Sequence, residues 1–400
     1  SANASGPGAG LATVLTIFSG GGLQQCGIFA LGIMPYISAS IMTQLLSAVV
    51  PQWAKMVREE GGRQKMTKWT RAIAIVIALV QGWFLVGTLE HPERLQAVGL
   101  NIPADCQLVI DPGIQFALMT VLIMVAGTMF LMWIGDQITE RGVGNGVSLI
   151  ISVNIIHALP GAVTLAWKTL VYKDGAVVPM GAMLLVALIA FLIVVVALVV
   201  TVTQAQRRIP VQYAKRQVGR KMYGGQSSTL PMKVNMSGVL PVIFAQSIAS
   251  LPITIWTFIG MPKEGTVSYS IYNAIDTKSV IYMVVYFIMI IGFSYFYSSI
   301  QFNPVEIANN LKKQGGFIPG FRPGQPTVQF IQKVLNRITM FGAIYLGIVA
   351  ICPLIVGKVI NNGSLAIGGT SVIIVVGVAL ETVKALENQM LMRQYKGFLE

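Results

Sequence analysis

Long apolar runs make up most of this chain, and the polar residues that break into them carry the information. Runs of about twenty residues recur at 27–50, 69–89, 114–134, 147–167, 180–203, 239–259, 280–300, 338–359 and 367–386. An α-helix rising about 1.5 Å per residue crosses a hydrocarbon core of about 30 Å in such a length. The pattern predicts an all-α, polytopic membrane bundle of nine spans. The first span reads GIFALGIMPYISASIMTQLLSAVV and has no charge, yet it contains Pro35 followed by Tyr36, Ser38, Ser40, Thr43, Gln44 and Ser47. A proline inside a helix frees a carbonyl, and each polar side chain in lipid needs a partner. This span should therefore face protein or a watery cavity rather than acyl chains. The last span is the least regular, because its uninterrupted apolar part stops at Glu381.

Ahead of the first span, residues 11–18 are apolar apart from Thr13 and Thr16, and they lie between a Gly/Pro-rich start and Gly20, Gly21 and Gly22. Eight residues reach only about 12 Å as a helix, too short to cross. The segment is either a re-entrant piece lodged in a cavity or an interfacial helix, and the pattern leaves both open.

With 54% hydrophobic and 11% charged residues, the chain cannot clothe an ordinary soluble surface. Its net charge of +13 is unevenly placed. Of 28 Lys and Arg, 22 fall on one side of the nine-span topology, in 51–71, 136–146, 204–238, 301–337 and the C-terminal end. That side is expected to be cytoplasmic, with the C-terminus inside. Nine spans then put Ser1 outside, and without a signal peptide this implies an absent preceding span. Cys26, Cys106 and Cys352 lie far apart, so neither a disulfide framework nor a metal site is expected. GxxxxGK[ST], HExxH and GxSxG patterns are missing, and His157 within a span reads as structural. The chain is not expected to be an enzyme or to hold a cofactor; work on a substrate would need an outside motor.

Two of the basic loops are long for a compact bundle. In 204–238, Arg207, Arg208, Lys215, Arg216, Arg220 and Lys221 are interleaved with Ile209, Val211, Tyr213, Val218 and Tyr223. Such a segment suits anionic headgroups, and its length and aromatic content suit an acidic protein or RNA phosphate. In 303–337, Pro319, Pro323 and Pro326 with Gly320 and Gly324 stiffen and turn the backbone around Phe321 and Arg322. A stiff tip presenting one guanidinium loses little entropy on binding a carboxylate or phosphate.

Several blocks resemble one family. FSGG at 18–21, FALGIMPYISASI at 29–41, GTMFLMWIGDQITERGVGNGVS at 127–148, QRRIPVQYAKRQ at 206–217, LPMKVNMSGVLPVIFA at 230–245, NPVEIANNLKKQGGFIPGFRPG at 303–324 and GGTS at 368–371 are similar to the SecY family, the central subunits of bacterial protein-conducting channels. The likeness runs over essentially the whole chain, without the family's first helix.

The resemblance implies two inverted halves, 1–175 (one helix short) and 176–400, around a central pore in the cytoplasmic membrane. It makes Leu11, Val14, Leu15, Ile17 and Phe18 part of a plug. It matches the family's aliphatic pore ring to Ile33, Ile37, Ile151, Ile155, Ile243 and Ile374; apolar pattern alone reads these as ordinary packing. It implies a lateral gate of the first two spans against 239–259 and 280–300, open to signal sequences and membrane lipids. It implies small membrane partners, SecE and SecG, and loops that dock the SecA motor or the ribosome, with Arg322 prominent. Unfolded preproteins are then the substrate. An ion-coupled secondary transporter is the rival class, but it would place acidic groups or broken helices near midplane. An intramembrane enzyme is a second rival, and no nucleophile and base pair stands out for it.

Overall fold

Each of the nine predicted spans carries an α-helix, and the departures are at the ends. The computed structural model describes residues 27–58, 61–90, 109, 112–173, 176–177, 179–213, 216–218, 221–223, 227–236, 238–259, 274–275, 279–359 and 368–396. The helices are α1 (Met34–Val49), α2 (Pro51–Arg58), α3 (Gly62–Glu90), α4 (Ile114–Arg141), α5 (Gly146–Ala166), α6 (Pro179–Gln204), α7 (Leu240–Ile259), α8 (Val280–Gln301), α9 (Pro304–Lys313), α10 (Gln325–Val359) and α11 (Gly368–Lys396). Among the described residues, five stretches are long and apolar enough to cross a membrane unaided: Gln64–Gly87, Ile114–Arg141, Gly181–Gln204, Val280–Lys313 and Gln325–Val356.

The first span is shorter than its hydropathy suggests. Residues 27–33 form turns, with Gly32 at φ 56°, and the helix starts at Met34 with Pro35 in its first turn. Pro35 therefore does not break a helix interior as expected; it sits where its missing N–H has no intrahelical partner to lose. Its polar residues are served locally and by α3. Thr43 Oγ1 donates to the helix's own carbonyls and lies 3.0 Å from Thr70 Oγ1 of α3, both groups buried. Ala39 and Ala74, each 0% exposed, share a small apolar cluster with Met132. Small residues let helix backbones approach where lipid offers no hydrophobic drive for association.

Packing runs α1 on α3, α3 on α4 and α4 on α5 in the first half of the chain, and α7 on α8 and α8 on α10 in the second. The halves meet where α5 packs on α11 and where α1 packs on α7. Helix α6 touches chiefly α11 and the π-helical turn Trp167–Val171, so nearly its whole surface is open. Its sequence is apolar without interruption from Pro179 to Val200, which fits a lipid-facing helix.

The long basic loops are not separate. Strand β3 (Gln206–Tyr213) pairs antiparallel with β6 (Ser227–Lys233) and with β7 (Gly316–Phe317), so both loops share one sheet of order β6-β3-β7. Two further two-stranded pieces are β1 (Tyr172–Lys173) with β2 (Ala176–Val177), and β4 (Arg216–Val218) with β5 (Lys221–Tyr223). Alternation sets the faces of β3: Ile209 and Val211 are buried, while Arg208, Pro210 and Gln212 are exposed on the other face; Arg207, near the start of the strand, is exposed as well. The buried face joins Met232, Ala308, Leu311, Ile318, Ile331, Val334, Leu335 and Ile338 in a second core at the basic end of the bundle. Helix α10 is 35 residues long and passes from this platform into the bundle.

Candidate functional site: an isoleucine cluster beneath a basic platform

The main core of the bundle contains Ile33, Ile37, Ile151, Ile155, Ile243 and Ile374 in one contiguous cluster. Their exposures run only from 0 to 4%. They come from the start of α1, from α5, α7 and α11, so residues far apart in sequence converge from both halves. Ile33 sits at the N-cap position of α1, and Ile37 follows one turn later. Ile151 and Ile155 are one turn apart on α5, whose start is capped by Asn145 Oδ1 accepting from the Val147 and Ser148 N–H groups. Tyr286 and Ile290 of α8 and Leu346, Val349 and Ala350 of α10 complete the same cluster. The six isoleucine side chains themselves are stiff and β-branched and offer neither a hydrogen bond nor a charge to water or ions, although the buried Tyr286 hydroxyl lies in the same core.

The tip around Arg322 is held on several sides. Ile318 is buried in the platform, and the Phe321 N–H donates to its carbonyl at 3.0 Å. The Phe321 ring packs on Phe330 with centroids 4.2 Å apart. Thr327 Oγ1 donates to the Arg322 carbonyl at 2.8 Å. The Arg322 side chain itself stays exposed, as do Arg207 and Arg208 on β3, with Lys312 and Lys313 at the end of α9.

Comparison with known proteins decides the family. Residues 27–383 match the SecY family. The chain is 44% identical over 394 residues to the protein translocase subunit SecY of Streptomyces scabiei, covering 98% of this chain and 87% of that one. It is 42% identical over 398 residues to the Mycobacterium bovis protein of the same name, covering 97% and 86%. The chain belongs to the SecY family. Its fold matches a structure described as that of a protein conducting channel with a TM-score of 0.60 at 17% identity, covering 90% of this chain and 81% of that one. It likewise matches Sec61 in a canine ribosome-channel complex with a TM-score of 0.57 at 17% identity, covering 90% and 81%. Membership in this family sets the transporter alternative aside.

Of the plug residues expected from the SecY resemblance, Leu11, Val14, Leu15, Ile17 and Phe18 all lie outside the described residues, as do Lys215 and Arg220. Arg216 and Lys221 open the short strands β4 and β5. Sequence reasoning missed two features. Asp136 opens the segment 136–146 between the apolar runs 114–134 and 147–167, yet it lies inside α4, where its Oδ2 meets Arg71 Nη2 of α3 at 2.6 Å. The joint sheet of the two loops was also missed, although the alternation Ile209, Val211 against Arg208, Pro210, Gln212 is a short strand signal.

Proposed function

We infer that this chain is the membrane-embedded channel subunit of a protein translocase, conducting unfolded preproteins across the membrane and releasing apolar segments sideways into it. The observation that carries the reading is the convergence of six isoleucines from four helices into one sealed cluster inside a SecY-family bundle. In this reading they form the pore ring: a dewetted constriction that blocks ions and water yet grips no polypeptide tightly.

The gate is the contact between α1 and α7, backed by α3 and α8. A segment that reaches the ring samples lipid through this seam and partitions by composition. Leucine or isoleucine favours insertion by about 0.3 to 0.6 kcal/mol per residue, whereas a central arginine opposes it by about 2.5 to 3.5 kcal/mol. Signal sequences enter by the same test, and residues 11–18 act as the plug. The halves 1–175 and 176–400 are the two moving bodies.

The basic end faces the cytoplasm, the C-terminus with it, because Lys and Arg concentrate there. The platform then presents Arg207, Arg208 and Arg322 to the SecA motor or to the ribosome, and Lys215, Arg216, Arg220 and Lys221 of the same loop add to its positive charge. SecE and SecG are the expected membrane partners. The chain acts without catalytic residues or cofactor of its own.

Reconstitution into vesicles with SecE, SecG, SecA and ATP tests this directly. Protease-protected preprotein inside the vesicles is expected. Small-solute counterflow with no protected preprotein would overturn the reading.

A further inference from the structure

The turn 142–145, between α4 and α5, belongs neither to the isoleucine cluster nor to the basic platform, yet it is tied down from within. Thr139 Oγ1 donates to the Gly135 carbonyl at 2.8 Å and accepts from the Gly146 N–H at 2.9 Å. The Gly142 N–H closes back on the Ile138 carbonyl at 2.8 Å. Gly146 approaches α4 so closely that a Cβ there would overlap the Gly135 carbonyl oxygen. The chain is thereby folded into a stiff button, and the button is seated on α11.

One close approach and one hydrogen bond make the seat. Gly144 has φ +82°, and a Cβ built on it would lie 3.5 Å from Thr382 Oγ1 and 4.0 Å from Thr382 Cβ. Thr382 is held in turn, its Oγ1 donating to the Val378 carbonyl at 2.8 Å. Two turns further along α11, Gln389 Nε2 donates to the Gly142 carbonyl at 3.3 Å. These contacts join the first half of the chain to the second, on the helix pair α5 and α11 that delivers three of the six isoleucines.

The spacing along the two helices matches. Ile151 is seven residues beyond Gly144 and Ile374 is eight residues before Thr382, about 10 and 12 Å along the axes. A contact fixed at one level sets the axial register of both helices at the other. We propose that the Gly144–Thr382 seam is a permanent stop: it keeps α5 seated on α11 throughout transport, so that the ring widens by movement at the α1–α7 contact. Gly144, Thr382 and Gln389 are then positioning residues for Ile151, Ile155 and Ile374. The proposal rests on the channel reading above.

The seam has the spacing of a disulfide, for which Cβ atoms lie about 3.5–4.5 Å apart. The test is Gly144→Cys with Thr382→Cys in a chain whose Cys26, Cys106 and Cys352 are serine, assembled with its partners in vesicles. Translocation is compared in the same variant before and after oxidation, which cancels any cost of a side chain at positive φ. The disulfide is expected to form, with preprotein transport unchanged by it. Failure of the pair to oxidise, or a loss of transport on oxidation that reductant restores, would overturn the seam. A parent chain that carries no preprotein in the same vesicles would instead overturn the channel itself.

A wedge gives an independent readout. Thr382→Phe is expected to raise ion conductance and to admit preproteins with defective signal sequences, while Thr382→Val, of similar volume, keeps both at the parent level. A Phe variant that assembles and stays as tight and as selective as the parent would contradict the proposal.

Discussion

Arg71 and Asp136 meet at 2.6 Å across α3 and α4, joining the two helices by charge. The aspartate is 20% exposed and the arginine 45%. The pair is thus more covered than a surface salt bridge and less than a fully buried one. Asp136→Asn is expected to destabilise the purified protein by about 1–2 kcal/mol, between the values for those two extremes. A double-mutant cycle with Arg71→Gln, read by thermal melting in micelles, should show clear coupling; strictly additive losses would mean that the pair contributes nothing.

The Thr43–Thr70 hydroxyl pair should matter less than the alanines beside it. Each hydroxyl also has a carbonyl of its own helix within hydrogen-bond reach, so neither is stranded when the other is removed. Thr43→Val is expected to cost about 0.6 kcal/mol, the usual size for such a bond in a membrane bundle. Ala74→Leu, pressed into a site with no exposed surface, should cost about 1–3 kcal/mol by overpacking. Equal melting of Ala74→Leu and parent would show that α1 and α3 separate freely.

Hydropathy made the nine helices legible, because lipid imposes one length and one composition on every span. It could not mark where a helix continues past the membrane: α10 begins at Gln325 rather than 338, since its early turns are covered by the platform through Ile331, Val334 and Leu335. It left Asp136 between two apolar runs because a carboxylate ends such a run, whereas the helix carries on to Arg141 with Arg71 as the partner. The six isoleucines were invisible to pattern, being apolar residues in apolar helices; only the resemblance to known sequences singled them out. The Arg322 tip was legible from its prolines and glycines, but the Phe321–Phe330 contact that steadies it depends on the fold.

The seal of the channel is expected to fail when its lining becomes polar. Ile37→Asn puts a hydrogen-bonding group into the proposed pore ring and should raise single-channel ion conductance in planar bilayers, as should deletion of residues 11–18. Conductance equal to the parent's for both variants would return these residues to plain packing.

Charge reversal at the platform tip should separate docking from conduction. Arg322 is exposed and its backbone is fixed by Thr327, so Arg322→Glu is expected to leave folding and membrane insertion intact while sharply reducing motor-driven transport. Stability of surface variants of this kind usually changes by no more than about 0.5 kcal/mol. Unchanged transport in vesicles, with SecA limiting, would remove Arg322 from the docking surface.

The most direct measurement is crosslinking of a preprotein stalled in mid-transport to single cysteines placed at Ile33, Ile37 and Ile243, in a chain lacking Cys26, Cys106 and Cys352. Crosslinks at all three positions are expected, because the proposed path of the polypeptide runs through the cluster these residues build. A stalled chain that reacts only with positions in the loops, while its transport is confirmed in the same vesicles, would contradict a path through the isoleucine ring.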